Sequence, residues 1–143
     1  MSKEHLITSA ELIYQIGQLE GQVIQKQLIN IDLRMDHARL LHYVSNEPGT
    51  NQINLANYLN IQPASLTNMI KKLEKQDLIV RRVNPSDSHQ KQVFLLPKGE
   101  KIAQKINDTF HFLNQLVESA DLTNLIGLQK LSKMLSNKLK EQV

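Results

Sequence analysis

The chain has 143 residues, a length that supports one core, or a small domain with helical extensions. It has no cysteine, which excludes disulfides, thiolate metal ligation and thiol redox sensing. No run approaches the roughly eighteen apolar residues of a membrane span, and the opening MSKEHLITSAELIYQ carries acids but no signal-type apolar core, so a cytoplasmic protein without membrane association is expected.

The net charge of +3 is unevenly placed. Up to Asp36, Lys3, Lys26 and Arg34 face Glu4, Glu11, Glu20, Asp32 and Asp36. From Gln62 to Lys105, nine bases (Lys71, Lys72, Lys75, Arg81, Arg82, Lys91, Lys98, Lys101, Lys105) face only Glu74, Asp77, Asp87 and Glu100. Such a concentration suits a polyanionic partner, although a merely solvated face has the same composition.

In chain order, residues from about Thr8 to Asn30 are predicted to form a long helix, because Leu12, Ile13, Ile16, Leu19, Val23, Ile24 and Leu28 recur at three- and four-residue steps. Gly17 and Gly21 lie four apart in it, on one face, where another helix can approach closely or packing elsewhere simply tolerates them. A second helix is predicted from Asp36, whose carboxylate can cap it, with Leu40, Leu41 and Val44 inward and the turn cluster Asn46-Glu47-Pro48-Gly49 ending it. Asn51 is a cap for a short third helix with Ile53, Leu55, Ala56 and Leu59 inward. Asn60-Ile61-Gln62 is a tight turn, and Pro63 fits the first position of a fourth helix running to about Gln76.

In that fourth helix Leu66, Met69, Ile70 and Leu73 make a buried stripe, leaving Ala64, Ser65, Thr67, Asn68, Lys71, Lys72 and Lys75 on the other faces. Short helix, tight turn and second helix make a helix-turn-helix. The runs Leu78–Val83 and Gln92–Leu96 read as two strands joined by a protruding polar tip, Asn84–Lys91, which is a wing. Pro97 and Gly99 open a fifth helix with Ile102, Ala103, Ile106, Phe110, Leu113 and Val117 inward. Asp121 or Thr123 can cap a sixth carrying Leu125, Leu128, Leu131, Leu135 and Leu139. The expected fold is mainly α with a small β-hairpin wing.

With these residues in place, the chain resembles the MarR family of bacterial transcriptional regulators over essentially its whole length. The resemblance rests on Leu55-Ala56, on Pro63-Ala64-Ser65-Leu66-Thr67-Asn68, and on Leu73-Glu74-Lys75 followed by Leu78-Ile79-Val80-Arg81. Asn84-Pro85-Ser86-Asp87 at the wing and Pro97-Lys98-Gly99 at the next helix complete it. It implies a winged helix-turn-helix lobe at 35–99 and flanking dimerisation helices at 1–34 and 100–143. It further implies a homodimer bound to double-stranded DNA at a palindromic operator, with repression and a small-molecule effector. Two positions depart from the family's pattern: the wing has His89, not arginine, two residues after Asp87, and Asn68 stands where relatives often carry arginine.

The proposed chemistry follows from the side chains. The fourth helix would enter the major groove N-terminal half first. Ser65, Thr67 and Asn68 can exchange hydrogen bonds with bases, the asparagine amide matching adenine, and Ala64 can meet a thymine methyl. Ser65 and Thr67 can equally serve as local helix-end hydrogen bonders. Lys71, Lys72 and Lys75 would reach phosphates, with Lys75 also readable as an idle solvated lysine. Strand alternation puts Arg81 and Arg82 on opposite faces, so one faces DNA while the other can pair with Asp87 or Glu74. Arg82 and Lys91 are favoured for phosphate, with His89 and Gln90 at the tip.

Tyr14, His37, His42, Tyr43 and His111 are candidates to line an effector pocket, though each also fits an ordinary partly buried role. No glycine-rich phosphate loop, HExxH or paired-histidine motif is present, so no metal, cofactor or enzymatic activity is expected. The alternative function is a protein-interaction module on the same scaffold, with weak or lost DNA binding, suggested by the altered wing.

Overall fold

The structure is a computed structural model, which describes residues 8–121 and 123–141. Among these are six helices and a small antiparallel sheet, in the order α1 (Ser9–Gln27), α2 (Met35–Asn46), β1 (Thr50–Asn51), α3 (Gln52–Leu59), α4 (Pro63–Lys75), β2 (Ile79–Asn84), β3 (Asp87–Leu95), α5 (Pro97–Ala120) and α6 (Asn124–Lys140). The strand order is β1-β3-β2, so β3 is central. The chain divides into two compact units, one ending at Thr109 and the other beginning at Phe110.

The first unit holds the core. Leu40, Leu41 and Val44 of α2, Leu55 of α3 and Leu66, Ile70 and Leu73 of α4 are buried together with Ile79 and Val93 of the sheet and Ala103 and Ile106 of α5. Each fully buried aliphatic side chain contributes about 1.5–3 kcal/mol. The expected stripes of α2 and α4 are therefore the real ones, with Met69 only half-buried. Ile53, expected inward, is 64% exposed. It lies in the first turn of α3, at the edge of the face that Leu55 and Ala56 bury, where it borders a surface cleft with Gln52 and Arg81.

Helix ends follow local chemistry, with two departures from expectation. Thr8 caps α1 by accepting from the Glu11 amide at 3.3 Å, and Asn51 caps α3 by accepting from the Asn54 amide at 2.8 Å. Helix α2 starts one residue before Asp36. Its cap is not that carboxylate but the His37 ring, whose Nδ1 accepts the Arg34 N–H at 3.0 Å. Before α6, the Asp121 carboxylate accepts from both the Thr123 amide and its hydroxyl at 2.8 Å and the Asp121 carbonyl accepts the Asn124 amide at 3.0 Å, while Thr123, at the N-cap, makes no side-chain cap hydrogen bond.

The wing differs most. Residues 84–91 are not a long tip: β2 and β3 pair down to Asn84↔Asp87, and only Pro85 and Ser86 turn. Val83 pairs with Lys91, so Ser88, His89 and Gln90 bulge out of the ladder on the β3 side. The two-residue strand β1 pairs Thr50 with Val93 and Asn51 with Gln92, closing the wing root against α3. Gly49, at φ +82°, makes the turn into β1. A side chain there would also meet the Phe94 ring at 3.2 Å. At the start of α5, Gly99 packs so closely on the Leu78 carbonyl that a Cβ would come within 2.0 Å of its oxygen.

Much apolar surface is left uncovered within each unit. On α1, Leu12, Ile13, Ile16 and Leu19 are exposed and only Ile24 is buried. Gly21 faces the Met35 methyl at 3.6 Å, while Gly17 faces open space. On α6 no described residue is buried, and Leu125, Leu128, Leu135 and Leu139 are exposed. Beyond Thr109 of α5, Phe110, Leu113 and Val117 are only half-buried. Among the described residues no helix is long and apolar enough to cross a membrane.

Candidate nucleic-acid interface

Helix α4 is built in two halves around its axis. Leu66, Ile70 and Leu73 sit at i, i+4 and i+7 and point into the core. Ala64, Asn68, Lys71 and Lys75 sit at i, i+4, i+7 and i+11 on the far side, all exposed, with Ser65 exposed beside them. The helix opens on Pro63, which has no amide proton to leave unsatisfied. It follows the turn at Asn60, whose left-handed backbone (φ 53°) suits asparagine's tolerance of that region. The outcome is a convex ridge with small polar side chains at its N-terminal end and cations farther along.

Two of the expected contact residues are partly engaged elsewhere. The Thr67 hydroxyl donates to the Pro63 carbonyl at 3.0 Å, so its proton is spent inside the helix and only acceptor capacity remains. Lys72 is half-buried and its Nζ lies 3.9 Å from Asp32 Oδ1, an exposed and weak pairing. Lys71 and Lys75 are exposed.

On the wing, register sorts the basic residues by face. Arg81 opposite Val93 and Val83 opposite Lys91 put Arg81 and Lys91 on the face that turns toward α3 and α4. Arg82 opposite Gln92 lies on the other. Arg81 is the one that pairs: its Nη2 lies 2.8 Å from Glu74 Oε1 on α4. Arg82 is exposed, its guanidinium 5.4 Å from the centre of the Phe94 ring. Arg82 and Lys91 therefore present charge from opposite faces of one ribbon. His89, Gln90 and Lys91 border a cleft of about 330 Å³ with Asn51, Gln52, Ile53 and Arg81. His89 and Gln90 are thus set back from the tip, which consists of Pro85 and Ser86.

The bulge explains this displacement, and sequence reasoning missed it. It also missed Gln52, which joins the cleft by opening α3 right after β1. The only signal for Gln52 was its place next to the predicted cap Asn51.

The five candidate pocket residues have separate local roles. His37 is buried and serves as the α2 cap. Burial first, then Lys72 and Arg34, hold its pKa below the ordinary histidine value. His42 Nδ1 lies 2.7 Å from Asn107 Oδ1 across α2 and α5. The Tyr43 ring stacks at 4.6 Å and 32° on Tyr58 of α3. Tyr14 is exposed on α1 and accepts from Gln18 at 2.7 Å, and His111 is exposed in the second unit. A cavity of about 400 Å³ lies instead between α2, β3 and α5, lined by Ser45, Phe94, Glu100, Gln104 and Asn107 among others.

Comparison with known proteins agrees with this architecture. The MarR family model matches residues 33–90. The chain is 26% identical to an uncharacterized HTH-type transcriptional regulator, YdgG of Bacillus subtilis, covering 98% of this chain and 96% of that protein. Staphylococcus aureus MepR, in a crystal structure of its DNA-binding conformation, superposes with a TM-score of 0.81 at 25% identity. The match covers 91% of this chain and 98% of MepR. The crystal structure of the S. aureus MepR–DNA complex superposes with a TM-score of 0.78 at 24% identity, over 94% of this chain and 99% of that one, a likeness of fold.

Proposed function

We propose that this chain, whose residues 33–90 match the MarR family model, is a transcriptional regulator of that kind, a homodimeric repressor that reads a palindromic operator and is released by a small molecule. The observation that carries the reading is the exposed ridge of α4, with Ala64, Ser65 and Asn68 at its leading end and Lys71 and Lys75 behind. Direct readout needs small polar side chains at the groove floor and cations at the phosphate rim, and the ridge has that order. MepR, whose fold this chain shares, is described as bound to DNA, which supports the same partner here.

Asn68 would read adenine with its amide, Ser65 would exchange a hydrogen bond with a base edge, and Ala64 would meet a thymine methyl. Lys71, Lys75 and a Lys72 drawn away from Asp32 would contact phosphates. Arg82 and Lys91, on opposite faces of the wing, would reach the backbones on its two sides, with His89 and Gln90 behind them.

Pairing is supported by the exposed leucines of α6 and the exposed stripe of α1, since monomeric proteins seldom leave such patches bare. Two-fold pairing would set two α4 ridges about 34–36 Å apart, one DNA turn. The α2–β3–α5 cavity supports an effector site, because ligand entry there would press on the root of the wing.

Selection of binding sites from random duplexes with the purified protein tests this reading. Recovery of an imperfect palindrome with half-sites one turn apart is expected. Recovery of no enriched sequence would defeat it.

A further inference from the structure

Arg81 joins three elements. Its Nη2 pairs with Glu74 Oε1 of α4 at 2.8 Å, and its Nη1 donates toward Gln52 Oε1 of α3 at 3.5 Å, while its own backbone belongs to β2. The side chain is 19% exposed, and Nε is buried with no acceptor among the described residues.

The chain between α4 and β2 is short and tightly turned. Asp77 takes a left-handed conformation at φ 59°, its amide donating to the Glu74 carbonyl at 3.0 Å. The Leu78 amide donates to the Leu73 carbonyl at 3.0 Å, and both leucines are buried. This is the left-handed helix ending that fixes the direction of the departing chain. It fixes only the first residue of the strand. The buried Ile79 and Val93 and the pairing of β1 with Val93 and Gln92 hold the root of the hairpin, and beyond that root the two-residue-tipped, bulged ribbon relies on side-chain contacts to set its angle to α4.

We propose that Glu74 and Arg81 are positioning residues that lock the wing at a fixed angle to the α4 ridge, with Gln52 bracing them from α3. A charge pair with a two-pronged cation suits this task, because the planar guanidinium restricts orientation as well as distance. Arg81 is therefore withheld from phosphate, and its charge is spent on geometry. This inference rests on the DNA-reading function proposed above.

The sign of one substitution separates positioning from mere charge. Glu74→Gln keeps the shape of the side chain and adds one unit of positive charge near the interface. If the carboxylate only shields DNA from Arg81, this variant binds every duplex more tightly. If it positions the wing, binding to a duplex from the protein's own upstream region weakens by about fivefold or more, while binding to a shuffled duplex of equal length does not weaken.

The experiment measures both duplexes by fluorescence anisotropy with full-length wild type, Glu74→Gln, Arg81→Lys and the reversed pair Glu74→Arg/Arg81→Glu. Amide hydrogen exchange is followed without DNA on the same proteins. We expect Glu74→Gln and Arg81→Lys to lose discrimination between the duplexes, and the reversed pair to recover part of it. Exchange in β2 and β3 should be faster in both single variants, with α2 and α3 unchanged. Parallel tightening on both duplexes, or unchanged exchange in the wing, overturns the proposal. If wild type itself fails to discriminate, the DNA-reading function falls and the exchange result alone decides whether the wing is locked.

Discussion

The Arg82 guanidinium lies 5.4 Å from the centre of the Phe94 ring, on the face of the wing opposite to Lys91. The ring limits where the guanidinium can go without consuming its N–H donors, so the cation is held ready for a phosphate. Arg82→Ala should weaken binding to all duplexes to a similar degree. It should also flatten the slope of log affinity against log salt by about 0.9, the share of one phosphate. Arg82→Lys should keep most of the slope and lose some affinity, because an ammonium stacks less well. Salt titrations of the three proteins check this.

Asn68 and Lys71 lie three residues apart on the exposed side of α4, and their loss should read differently. Asn68→Ala should cost about 1–3 kcal/mol at one base pair of each half-site and leave the salt slope alone. Lys71→Ala should reduce the slope without changing which base is preferred. Competition against single-base variants of a selected site distinguishes the two.

How much of this interface could be read in the sequence depends on where burial drives the structure. The α4 ridge was legible because Leu66, Ile70 and Leu73 leave a periodic trace, and the exposed side follows by subtraction. The wing was not. Both faces of residues 84–91 meet water, so no alternation marks the strand, and the polar run looks like a loop. Backbone pairing from Asp87 onward and the bulge at Ser88–Gln90 decide its shape, and neither depends on side-chain polarity. A two-residue strand such as β1 has too few residues to show a pattern. His37 was open to two readings in the sequence, since a histidine three residues past Arg34 can line a pocket or sit partly buried, and its burial and the 3.0 Å contact of its ring with the Arg34 N–H give it the local role of a cap.

That cap makes stability depend on pH. The folded protein holds His37 neutral, with its pKa below that of the unfolded chain. Its contribution is thus fully present above the unfolded value of about 6.5 and is lost as pH falls below it, because the unfolded state then binds the proton more readily. A protonated ring also cannot accept the Arg34 N–H. Urea unfolding should show lower stability at pH 5.5 than at pH 7.5, and His37→Asn, which cannot titrate, should shrink that difference. Asp121, whose pKa is lowered first by the Thr123 amide and then by its hydroxyl, acts in the acidic carboxylate range instead.

The α6 leucines bear on assembly. Leu128 and Leu135 lie seven residues apart on one face and are 48% and 49% exposed. Neither side chain is buried among the described residues, so with both replaced by glutamate the folded lobe should persist. The protein should shift from dimer to monomer in sedimentation, and affinity for a palindromic duplex should drop by about tenfold or more as the second lobe is lost. Circular dichroism of the same sample separates dissociation from unfolding.

The central claim is that the α4 ridge reads DNA sequence. Its most direct test is the affinity of the full-length protein for a duplex from its own upstream region, measured against a shuffled duplex from low to physiological salt. We expect the upstream duplex to be favoured by about a thousandfold or more at physiological salt, with Asn68→Ala erasing part of that preference. Equal affinity for the two duplexes at every salt concentration, or a preference untouched by Asn68→Ala, would contradict it.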